Sequence, residues 1–171
     1  MPAPTWTVEF QTLYDHAVTL YRNGQRGADS FFSPEQTAFL ASIGAIPQEL
    51  YDFAEDLVRY GEPDFGTALL ITAARRDYFL YQLHRTTPGP RLSMDDYPAK
   101  EATFRGIPWL PRIALKAQTR LQGTMPLDMM YGCGGDRAFF NQHNVHAADF
   151  LRIVWAAEGD LDKILAKLPS T

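Results

Sequence analysis

Apolar residues recur three and four apart along most of the chain, the spacing of one helical face. Trp6, Phe10, Leu13, Tyr14, Ala17, Val18 and Tyr21 form such a face, and Gly24 follows where a helix closes in the left-handed region. In FFSPEQTAFLASIG, Ser33 is placed as N-cap, Pro34 as first helical residue, Gln36 three after the cap to reach back, and Gly44 as the stop. Pro47 to Gly61 predicts a third helix, with Leu50, Phe53, Ala54, Leu57 and Val58 inward and an acidic outer face of Glu49, Asp52, Glu55 and Asp56.

The next segment, PDFGTALLITAARRDYFLYQL, is apolar all the way round a helix, as in a central helix covered on every side. A buried strand at LLITA or YFLYQL competes, because β-branched and aromatic residues favour it. Residues 84–108 lose the pattern: Pro88, Pro90, Pro98 and Pro108 interrupt a stretch long enough to be a lid, a binding loop or a linker. Beyond it Leu110, Ile113, Ala114, Ala117 and Leu121 make a clean stripe between Pro111 and Gly123. Asp136 can cap a helix starting at Arg137, a break follows at HNVHAAD, AADFLRIVWAAEG is a further helix, and Asp160 caps a last one with Leu161, Ile164, Leu165 and Leu168 inward.

The expected fold is all-α: a compact single-domain bundle of about six to eight helices, with a long central loop and room for a minor hairpin. Residues 1–83 form an N-terminal helical half, 84–108 a loop or lid, and 109–171 a C-terminal helical half.

Composition agrees with a folded core: of 171 residues, 46% are hydrophobic and 21% charged. A net charge of −4 speaks against general attachment to nucleic acid. The single cysteine leaves no internal disulfide, MPAPTWTVEF has no secretory pattern, and no apolar run is long enough to cross a bilayer. These features predict a cytoplasmic protein with no membrane partner. A homodimer stays open.

Candidate chemistry collects in two places. Arg75, Arg76 and Asp77 sit inside the apolar fourth segment, where a buried charge must be met by a partner or a ligand. YGCGGDRAFFNQHNVH holds Cys133, Tyr131, three glycines, Arg137, His143 and His146. Four readings of it compete. Cys133 can be a nucleophile before a helix start, with His143 or His146 as base. Cys133, His143 and His146 can bind a metal with one open position. Gly132, Gly134 and Gly135 can present amides to a small anion, with Arg137 adjacent and Arg76 or Arg112 from elsewhere. The plain reading is a glycine turn at positive φ, an Asp136 cap and two histidines bonded at a break. Arg112, Lys116 and Arg120, four apart, read as a solvated face attracted to the acidic third helix, or more sharply as an anion-binding wall.

In order along GIPWLPRIALKAQTRLQGTMPLDMMYGCGGDRAFFNQHNVHAADFLRIVWAAEGDLDKILAKL stand Leu110, Pro111, Arg112, Lys116, Cys133 and Asp136. This stretch resembles a bacterial family of uncharacterised activity, domain of unknown function 5069. The resemblance departs in the turn, where Gly134 and Gly135 replace an expected Pro-Leu between Cys and Asp. It implies no reaction.

The functional expectation is therefore built from residues: a small enzyme doing acid/base chemistry of lyase or hydrolase type on an anionic or aromatic organic molecule. Arg75 or Arg76 anchors the substrate, with Arg112, Arg137 and Trp109 as further binding residues; Asp77 or His143 is the base, and Cys133 or Tyr131 stands near the reacting atom. No cofactor is expected, the metal reading aside. The alternative is a non-enzymatic ligand-binding or protein-interaction domain. The two separate on one point: the enzyme needs Arg76, Tyr131, Cys133 and His143 around one cavity.

Overall fold

The computed structural model describes residues 5–169, so the first four residues of the segment read for a leader lie outside it. Among the described residues there are eight α-helices: α1 (Trp6–Arg22), α2 (Pro34–Ser42), α3 (Pro47–Tyr60), α4 (Phe65–Asp77), α5 (Leu110–Gln122), α6 (Gly134–Gln142), α7 (Ala147–Ala156) and α8 (Leu161–Lys167). A two-stranded antiparallel hairpin, β1 (Thr103–Phe104) and β2 (Ile107–Pro108), pairs Thr103 with Pro108 and Phe104 with Ile107. The architecture is all-α, as the periodicity predicts.

Local chemistry explains the boundaries. Ser33 Oγ accepts from the Gln36 amide and Gln36 Oε1 accepts from the Ser33 amide, a reciprocal cap that starts α2. Helices α3 and α5 end on Gly61 and Gly123, both in the left-handed region at φ 79° and 75°. Asp64 and Asp160 cap α4 and α8 through their side chains.

The strand alternative for the fourth segment is not adopted. Helix α4 runs into a five-residue π-turn, Tyr78–Gln82. Nor is this element covered on every side, because Leu70 and Tyr81 are exposed while Ala68, Ile71 and Ala74 are buried. Its apolar circumference exceeds what the neighbours can cover.

Helix α1 packs chiefly against α3, and α7 lies against both α4 and α5. Phe10, Leu50, Phe53, Ile71, Ile113 and Phe150 are central to one continuous apolar cluster. The segment 84–108 is tied down along its length. The Leu92 amide donates to the Thr124 carbonyl (2.8 Å), Arg91 to the Met125 carbonyl (2.6 Å) and Arg112 to the Pro98 carbonyl (2.7 Å), while the Tyr97 hydroxyl meets Thr119 Oγ1 (2.6 Å). It is a strap laid beside the α5 end of the bundle, with the short hairpin at its C-terminal side.

Candidate functional site

The Cys133 turn folds differently from its simplest reading. Helix α6 begins at Gly134 with Cys133 as N-cap, so Asp136 sits inside the first turn and is not the cap. Its carboxylate, fully buried, turns back on the preceding turn. It accepts from the Gly132 amide (2.9 Å) and the Trp109 indole (2.9 Å), and it pairs with the Lys116 ammonium. Lys116 Nζ also donates to Cys133 Sγ at 3.4 Å. A buried carboxylate is tolerated because three donors meet it.

Positive φ is needed at Gly132 alone of the three glycines here, at 88°. Gly135 is required for another reason: a Cβ there would meet the Trp109 ring at 2.6 Å. Trp109 itself occupies the left-handed region at φ 69°, uncommon for a bulky residue, and this orientation lays its indole on Gly135 and Asp136.

This knot forms one wall of a cleft of about 970 Å3 between α3, α5 and the start of α6. Trp109, Arg112, Lys116, Cys133 and Arg137 line it, facing Tyr51, Asp52, Glu55 and Asp56 of α3, and the strap adds Met94 and Lys100. Arg137 is held by Asp56 (2.8 Å), Glu62 (3.2 Å) and the Gly132 carbonyl (2.8 Å). Arg112 has no acidic partner among the described residues; its guanidinium lies over the faces of Tyr97 (5.8 Å) and Trp109 (5.9 Å) and donates only to Pro98.

Asp52 is a candidate site residue that sequence reasoning missed. Its carboxylate accepts from Gln48 Nε2 at 2.8 Å and makes no ion pair among the described residues. Burial pushes its pKa up to about 7, against the lowering effects of the Gln48 hydrogen bond and the Arg120 charge. It also lines a second, smaller cavity of about 170 Å3. The signal was its place on a helix face read as solvent-facing, which the strap and α5 enclose instead.

Other expected site residues lie apart. Arg75 is buried and donates to the Leu121 carbonyl (2.5 Å), tying α4 to the end of α5; burial lowers its pKa to about 10. Arg76 lies over Trp6, 3.9 Å from Asp77, whose side chain is half-exposed. Tyr131 is fully buried, donates to the Ala147 carbonyl (2.7 Å) and has its pKa raised well above the ordinary value by that burial. His143 packs on Phe139 with ring centroids 4.4 Å apart, and exposed His146 accepts from the Ala148 amide through Nδ1, capping α7.

Arg76, Tyr131 and His143 do not line the cleft that Cys133 lines, so the acid/base site expected from these four residues does not form, and the enzyme reading that rested on them falls. The roles given to Asp77, His143 and Tyr131 are corrected: one sits at the surface, one is packed on a ring and one is bonded to backbone. Among the described residues no three His, Cys, Asp or Glu side chains assemble as metal ligands, so the set Cys133, His143 and His146 is not brought together. Two members of the anion reading are already committed, because the Asp136 carboxylate takes the Gly132 amide and Arg137 turns to two carboxylates, while Gly134, Gly135 and Arg112 line the cleft. Of the reading of Arg112, Lys116 and Arg120 as a solvated face attracted to the acidic third helix, the solvated part is overturned, since Lys116 and Arg120 are buried, while the attraction holds at Arg120, which pairs with Glu49 of α3 at 2.9 Å.

No family model, curated protein or solved structure matches the chain. No described helix is long and apolar enough to cross a membrane.

Proposed function

We propose that the protein takes a small polar organic molecule into the α3–α5–α6 cleft and performs acid/base chemistry on it, with Asp52 as the proton-carrying group. The carrying observation is Asp52 itself: a partly buried carboxyl without a cation partner among the described residues, facing a cleft, and balanced near neutrality between its two protonation states. Arg112, whose charge no carboxylate uses, holds an anionic substituent, and the Trp109 face offers a surface for a flat one. Cys133 lies at the cleft wall beside a cation and a helix N-terminus, where negative charge developing on a bound molecule is stabilised. Lys116, Cys133 and Asp136, which carry the resemblance to the uncharacterised bacterial family, act as one unit here, and a cytoplasmic setting suits the lone thiol.

A thermal-shift screen of small aromatic and aliphatic carboxylates tests this. Compounds that raise Tm should also slow alkylation of Cys133 by iodoacetamide. Arg112→Leu should lose their binding, and Asp52→Asn should keep binding but lose any turnover. Binding that leaves Cys133 alkylation unchanged puts the ligand elsewhere and overturns the assignment.

A second reading, a binding domain without chemistry, is favoured by Asp136, whose three donors give the knot a purely structural duty. Ligand binding to the wild-type chain with no turnover of any bound compound would select it.

A further inference from the structure

The smaller cavity lies where the C-terminal ends of α4 and α5 meet the start of α3, under strap residues Thr87 and Arg91. Two arginines on its wall, Arg75 and Arg120, are each only 3% exposed. Among the described residues neither guanidinium is fully used. Arg75 gives one Nη to the Leu121 carbonyl and leaves Nε without a partner. Arg120 gives Nη1 to Glu49 and leaves both Nε and Nη2 without partners. Those two atoms form the side-on edge of the guanidinium, whose parallel N–H groups match two oxygens of one carboxylate or phosphate.

Such an arrangement is costly as it stands, because a buried donor without an acceptor loses its water and gains nothing. Charge is also unbalanced. Arg75, Arg91 and Arg120 line the cavity against Glu49 and Asp52, and Glu49 is already committed to Arg120 and to the Ile46 amide. The volume of about 170 Å3 is several times the roughly 30 Å3 of a liquid water, so an anion of a few heavy atoms fits. The free N–H groups are shielded from solvent, so an oxyanion in the cavity reaches them only when the guanidinium ends turn toward it.

We propose that this cavity is a binding site for a small oxyanion, a carboxylate or phosphate group, gripped by the side-on edge of Arg120 and by Arg75. The ligand class follows from the donors: planar, charged and paired, they select two-oxygen anions over halides. The site is separate from the cleft, although Gln48, Asp52, Leu127 and Met129 contribute to both walls. A molecule with an anionic end and a longer body can be placed against both.

The test uses the full chain and two probes, sodium phosphate and sodium acetate, titrated against sodium chloride at matched ionic strength. Nitrogen-detected NMR of the arginine side chains reads the Nε–H groups of Arg75 and Arg120, assigned by their disappearance in Arg75→Lys and Arg120→Lys. The expected result is a saturable shift of both resonances with phosphate, acetate or both; the stronger probe identifies the group. Arg120→Lys should weaken binding about tenfold or more, because an ammonium offers no fork. Glu49→Gln, which keeps an acceptor for the Ile46 amide, should tighten it. Shifts no larger than those in chloride, or unchanged affinity in Arg120→Lys, overturn the proposal. If Arg120→Lys does not fold, the wild-type titration and Glu49→Gln still decide. Protection of Cys133 reads the cleft and the guanidinium resonances read this cavity, so either reading can fail alone.

Discussion

Lys116 and Arg120 stand one turn apart on α5, both almost removed from solvent, and the fold treats them in opposite ways. Lys116 meets a carboxylate that two further donors also satisfy, so that charge and hydrogen bonds close on each other. Arg120 meets Glu49 through one nitrogen and leaves two more without acceptors beside a cavity. A closed buried pair holds three chain segments together: the start of α5, its middle and the turn before α6. An open one has donors to spare, which is what a ligand requires.

Removing the closed pair should have the largest effect. Asp136→Ala strands the Lys116 charge and two N–H donors, and is expected to cost about 3–5 kcal/mol in chemical denaturation. A loss below about 1 kcal/mol would show that the knot is no better satisfied than the arginine end.

Asp52, between the two regions, gives a pH signature of intermediate size. Its neighbours Gln48, Glu49 and Glu55 on α3 and Arg120 on α5 leave burial as the dominant influence. The folded carboxyl titrates at about 7, above its unfolded value, so the folded state holds the extra proton in between. Stability should therefore fall as pH rises from about 4, the unfolded value, and level off above the folded one. Asp52→Asn should flatten that slope, a gain of roughly 1–2 kcal/mol at pH 8 after allowance for screening. An unchanged slope, read from urea midpoints across pH, would assign the proton elsewhere.

The smallest effect is expected at the open end. Replacing Arg120 by Met and Glu49 by Gln together removes both charges, and should cost less than about 1 kcal/mol because the pair is incompletely satisfied. A loss matching that of Asp136→Ala would erase the contrast.

Most of the helical frame was legible because its signals are local. Ser33, Pro34 and Gln36 start α2 by contacts within one turn, and Gly61 and Gly123 stop α3 and α5 by their own backbone freedom. The burial of Arg75 was legible too, as a charge in an apolar run, but its partner is a carbonyl 46 residues away. Long-range pairing misled the rest. Arg112, Lys116 and Arg120 at four-residue spacing look the same whether water or α3 and α6 lie opposite. Asp136 reads as a cap by position, yet the Gly135 surface, Trp109 in the left-handed region and Lys116 from α5 turn it into the centre of a network. Asp52 was hidden in an acidic face whose cover, the strap, has no periodicity to announce where it lies.

Trp109 also makes the cleft visible to light and radio frequency without any label. Of the three tryptophans, Trp6 stacks with Arg76 and Trp155 with Tyr78, while Trp109 alone borders the cleft. Its indole proton, held on a carboxylate, gives a separate downfield resonance, and its ring emits from the wall where a guest would rest. The molecule carries its own gauge of occupancy.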